Sequence, residues 1–170
     1  MLQSAPLTFR RMFLWIGRLF LGAMFLYAGA VKLFGLAIHP RPSISLALSF
    51  FALQVDSYQL LPAWAVQFVA HTLPLAEIAI GLMLLLGWLL PVWTALVSLL
   101  VAGLFASVVR AYSLGLQINC GCFAKPEPLT GMTVLRDGIL LALAIVMTVF
   151  AFQEARKPHP WTASASEPTS

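Results

Sequence analysis

Four apolar stretches, each long enough to cross a bilayer, take up most of this sequence: Met12–Phe34, a run within Pro62–Leu90, Pro91–Leu114 and Met132–Phe152. A spanning helix needs about 20 largely apolar residues, because the hydrocarbon core is roughly 30 Å thick and each residue rises about 1.5 Å. In lipid every backbone N–H and C=O must be bonded internally, so runs of this length fold as helices. Composition agrees: 61% of the 170 residues are hydrophobic and only 9% are charged, which excludes an ordinary soluble domain. The expectation is an all-α membrane protein, a four-transmembrane-helix bundle whose first partner is the lipid bilayer. Its formal charge of +4 comes from Lys and Arg set beside the apolar runs, mostly not in one block, so no nucleic-acid partner is expected.

The connections refine this outline. Ile44–Tyr58 is apolar but carries Ser, Gln and Asp; it is too interrupted to span and suits an interfacial helix between spans 1 and 2. As one helix the second run would measure roughly 43 Å, more than a bilayer requires, so a break or strong tilt is expected near Pro74. Pro91 opens the third span, where its missing N–H is harmless. A single domain is expected over residues 1–155, followed by a disordered tail at 156–170 rich in Pro, Ser and Thr. Near the start, "FRRMFL" and the "AGA" of Ala28–Ala30 imitate export and cleavage signals. Arg18 interrupts the uncharged core such a signal needs, so a retained first helix is expected. Gly22 and Gly29 in the first span, with Gly81 and Gly87 in the second, offer small faces for close packing. Trp15, Trp64, Trp88 and Trp93 fall near span ends, as interfacial anchors do.

An even number of spans puts both termini on one side. Arg10, Arg11, Arg156 and Lys157 lie there, against Arg41, Arg110 and Lys125 on the other, with Lys32 and Arg136 near helix ends. The count is close to a tie. The terminal charges are clustered outside the spans, which favours cytoplasmic termini. The loop between the last two spans then faces the opposite compartment, where disulfides persist.

That loop, "QINCGCFAKPEP", holds both cysteines of the chain, Cys120 and Cys122, separated by Gly121 alone. Structural zinc wants four ligands, and only His39, His71 and His159 are available to complete a set, so a metal site is disfavoured. Two readings stay open, a structural loop and a redox pair. A disulfide between residues i and i+2 requires a tight backbone, which Gly121 permits, and the strain makes such a bond oxidising. Arg110, Lys125 and Arg136 can come close enough in the fold to favour thiolate, the reactive form.

Two further residues stand out because ions inside apolar runs are expensive and face the bundle interior. Lys32 lies near the end of the first span and Glu77 about one turn past Pro74. Their inferred depths are similar, which suggests an intramembrane Lys32–Glu77 pair, with Arg110 and Arg136 as alternative partners. Such a pair either fixes helix register or serves a proton or a quinone headgroup.

Taken together, "LYAGAVKLF", "SYQLLP", "LPLAEIAIGLMLLLG", "NCGCF" and "LRDGILLAL" resemble, in order and spacing, the DoxX-like membrane proteins, and within them the MauE branch named for methylamine utilisation. The resemblance covers about Leu14–Phe150, and its most specific part is the combination of Lys32, Leu61–Pro62, Glu77 and Cys-Gly-Cys. It implies a multi-pass protein of the bacterial inner membrane that helps mature or export the disulfide-rich small subunit of methylamine dehydrogenase with a thioredoxin-like periplasmic partner. It also implies that Cys120 and Cys122 form the dithiol and that Arg136 opens the last helix. Asn119, Ala124 and Asp137 depart from the acidic residue, Gly and Asn expected at those positions, which leaves the fold intact and the methylamine specificity open. The activity expected is thiol–disulfide exchange. The alternatives are a DoxX-like subunit of a quinone-linked oxidoreductase, with quinone as cofactor, and a membrane scaffold or carrier without redox chemistry.

Overall fold

In the computed structural model, residues 7–35, 42–116, 118 and 128–156 are described. They form five helices: α1 (Leu7–Phe34), α2 (Ile44–Ser57), α3 (Ala63–Leu86), α4 (Leu90–Ser113) and α5 (Gly131–Ala155). All but α2 are long and apolar enough to cross a membrane, and the short α2 lies between the first two of them. The protein is a multi-pass membrane protein. From Lys157 onward the expected tail lies outside the described residues.

The four long helices close a ring in the order α1, α3, α4, α5. Packing is tightest between α1 and α3 and between α4 and α5, while α3 with α4 and α1 with α5 touch more lightly. The ring is filled in the half nearer the termini by Leu21, Phe25, Leu84, Val97, Ala144 and Met147. Outward positions are apolar too: Ile16, Phe20, Phe68, Leu99 and Ile139 are all exposed. An apolar exterior of this kind is stable only against lipid, since in water each such side chain forfeits about 1.5–3 kcal/mol of burial.

Close approach of α1 to α3 depends on glycine. A Cβ at Gly81 would lie 2.8 Å from the carbonyl oxygen of Gly22, and one at Gly29 would lie 2.7 Å from that of Pro74. Both obstacles are backbone, so neither can swing aside. Gly87 has a different task from the packing face expected for it: with φ of 73° it is the left-handed residue that ends α3. The Arg18 guanidinium fills the space beside it, donating to the Leu85 carbonyl at 2.7 Å.

No break occurs at Pro74. The ring of Pro74 removes one N–H from the ladder, yet α3 continues on both sides as a single helix. Neighbours hold it: α1 packs against Pro74 at Gly29, and α2 covers the preceding turns through Phe51 and Ala52 against Val66 and Ala70. Prolines are tolerated in membrane helices for this reason.

Candidate functional site

The half of the bundle away from the termini is hollow. The last turns of α1 and α4, the first turns of α5, the middle of α3 and the inner face of α2 surround a cavity of about 240 Å³. Its walls are mostly apolar, with Phe25, Leu73, Val101, Leu104 and Leu140 among them. Into this lining the sequence sets Lys32 from α1, Glu77 from α3 and Asp137 from α5. All three are buried, Lys32 at 9% exposure, Glu77 at 2% and Asp137 at 8%.

Lys32 and Glu77 form one ion pair. The Lys32 Nζ donates to Oε2 of Glu77 at 2.7 Å and to Oε1 at 2.5 Å, so both carboxylate oxygens are engaged. The Phe51 ring of α2 lies 5.4 Å from the same ammonium, a cation–π contact that ties α2 to the pair. An uncompensated ion at such a position costs several kcal/mol, which is why each half of the pair needs the other. Arg136 bonds Asp137 instead of Glu77, through Nε to Oδ1 at 3.0 Å. Arg110 reaches the Tyr58 carbonyl at the end of α2, at 3.5 Å. Neither arginine is brought to Glu77 by these contacts.

The cavity rim is built by the turn after α2. Gln59 adopts a left-handed φ of 50°, and the chain then passes through Leu60 and Leu61, which line the outer part of the cavity with exposures of 39% and 40%. The site therefore grades from an ionic floor to an apolar rim. Gln54 of α2 and Tyr58, just past its end, also line it.

Cys120, Gly121, Cys122 and Lys125 lie outside the described residues. The chain leaves for that segment at the end of the bundle where the cavity sits, between the last turn of α4 and the first of α5. Its flanks are fastened there, the Leu129 N–H donating to the Ile118 carbonyl at 3.0 Å.

Asp137, Gln54 and Tyr58 were not foreseen as members of this site. A signal for Asp137 existed: it falls on the same helical face as Thr133 and Ala144, both buried, at spacings of four and seven. Gln54 and Tyr58 gave no comparable signal, since polar residues on a short helix between spans are ordinary at a membrane surface.

A family model for "Methylamine utilisation protein MauE" matches residues 10–150. The "Methylamine utilization protein MauE" of Paracoccus denitrificans is 30% identical over 146 residues, covering 84% of this chain and 72% of that protein. No solved structure matches. The match takes in α1 from Arg10, the whole of α2, α3 and α4, and α5 as far as Phe150, so it contains the cavity, the Lys32–Glu77 pair and the Cys-Gly-Cys segment. The chain belongs to the MauE family of membrane proteins.

Proposed function

We propose that this protein is a membrane redox and maturation factor of the DoxX-like group, and that Cys120 and Cys122 exchange a disulfide with a protein on the periplasmic side of a bacterial inner membrane. In the exchange the Cys120–Cys122 disulfide is reduced to two thiols while two thiols of the client close into a disulfide, so two electrons and two protons pass from client to membrane protein. The relative's name points to methylamine utilisation, and a disulfide-rich dehydrogenase subunit is a client of the right chemistry.

One observation carries this reading. The chain's two cysteines stand one residue apart in the segment whose flanks, Ile118 and Leu129, are bonded at the cavity end of the bundle. A pair used only for packing has no need of that spacing or place, since buried structural cysteines are small apolar fillers that fit anywhere in a helix. Arg110 and Arg136, at the adjoining helix ends, supply positive charge that favours thiolate.

The test is alkylation trapping in cells. Two states differing by two modified thiols are expected, and Cys120→Ser or Cys122→Ser is expected to abolish client maturation and prolong a mixed disulfide with the partner. Gly121→Val should impair cycling without removing a sulfur, because a β-branched residue resists the tight ring. Normal client maturation by a Cys120→Ser, Cys122→Ser double variant at normal abundance contradicts the proposal.

A further inference from the structure

We propose that the cavity between α1, α2, α3, α4 and α5 binds the ring of a membrane quinone, with Lys32 at its floor as the hydrogen-bond donor and the isoprenoid tail leaving past Leu60 and Leu61. Three features of the cavity select this class of molecule.

The first is its polarity gradient. The buried end is ionic, with Lys32 and Glu77 almost fully enclosed, and the exposed end is apolar. An occupant must enter polar end first and trail an apolar tail, the reverse of an acyl chain inserted from the bilayer. Burying a methyl terminus against an ion pair gains nothing, whereas a carbonyl there is satisfied.

Charge is the second. Among the described residues around the site, Lys32 with Glu77 and Arg136 with Asp137 match cation to carboxylate. A fatty acid or a phospholipid head would bring an unmatched anion, and an alkylammonium an unmatched cation, each at a cost of several kcal/mol in this setting. The occupant is neutral. It also offers acceptors, because the Lys32 ammonium has three N–H donors and the two Glu77 oxygens leave a third for a carbonyl on the cavity side. In the reduced form the quinol hydroxyl donates to a carboxylate oxygen of Glu77 or Asp137, so one site suits both forms.

Size is the third. A volume of about 240 Å³ lies just under the roughly 300–1,000 Å³ of pockets that enclose drug-sized ligands. It takes one substituted ring, with the tail lying outside the rim.

Binding stands on the cavity alone; its use in redox chemistry rests on the dithiol reading above. Re-forming the Cys120–Cys122 disulfide releases two electrons and two protons, and a quinone that accepts all four becomes the quinol. The full-length protein in lipid nanodiscs would be titrated with a decyl-tailed ubiquinone analogue and followed by its unfolding temperature, since a ligand that binds only the folded state stabilises it by RT ln(1 + [L]/Kd). Saturable stabilisation is expected from the quinone and none from decanol or decanoate. Leu104→Trp, which fills the cavity, and Leu61→Trp, which blocks its rim from an exposed position, should each weaken binding by about tenfold or more. The Cys120→Ser, Cys122→Ser double variant should bind as the wild type does, so loss of the site and loss of the dithiol chemistry give different results. Absence of stabilisation in the wild type, equal stabilisation by decanol, or undiminished binding by both tryptophan variants overturns the proposal.

Discussion

Lys32 and Glu77 set the energetics of this fold at the scale of single residues. Their union leaves no oxygen of Glu77 without a donor, so removing either partner strands the other in a low-dielectric interior. Lys32→Met and Glu77→Leu are each expected to destabilise the folded protein by about 3–5 kcal/mol, whereas the double variant recovers much of that loss because no lone ion remains. Thermal unfolding of the four proteins in detergent measures the coupling; simple addition of the two single effects would show that the residues act independently. This pair was legible in the sequence because opposite charges at similar depth in apolar runs have few other places to go. Asp137 was harder, since in the sequence it stood out only as an Asp where Asn was expected. The structure shows it bonded to Arg136 and buried against the cavity.

At the scale of elements, the helices were legible and their neighbours were not. Length and composition suffice to mark a spanning helix, but each of these helices is apolar on nearly every face, so no amphipathic stripe says which side turns inward. Small residues carry part of that missing information. Gly22, Gly29 and Gly81 mark the α1–α3 contact, whereas Gly87 looked the same in sequence and proved to be a helix terminator. Pro74 leaves α3 unbroken for a related reason: its cost is local, and the contacts that outweigh it come from α1 and α2. A paired experiment separates the two kinds of glycine. Gly81→Ala puts a methyl group 2.8 Å from the Gly22 carbonyl and 2.9 Å from the Leu26 nitrogen, so the helices must part, and a loss of about 1–3 kcal/mol is expected. Gly103→Ala meets nothing within 4 Å and should be neutral or stabilising by roughly 0.5–1 kcal/mol through helix propensity alone. The unfolding midpoints of the two variants should therefore move in opposite directions, and equal losses would mean that backbone proximity does not hold α1 to α3.

For the whole molecule, the decisive property is which end of the bundle faces which compartment, because the hollow end and the filled end differ in chemistry. Four spans were countable from the sequence, and the cavity was not, because a void enclosed by five helices has no signature in any one of them. Orientation rests on charge. At the terminal end Arg10 and Arg11 share Glu154, at 3.8 and 3.3 Å, and Arg156 stands exposed beyond them. At the cavity end Lys32 is drawn into the interior by Glu77, so it flanks no membrane surface as a free cation. Basic residues close to span ends favour the cytoplasmic side, which supports the proposed orientation with the termini inside and the Ile118–Leu129 end outside. That orientation would give Cys120 and Cys122 an oxidising compartment, which the proposed exchange reaction needs. A membrane-impermeant thiol reagent applied to intact, mildly reduced cells is therefore expected to modify Cys120 or Cys122, and a tag fused after Ser170 is expected to resist external protease. Labelling confined to lysed cells, together with a tag cut from outside, would reverse the orientation. It would also put the cysteines among cytosolic reductants, where an oxidising disulfide cannot persist.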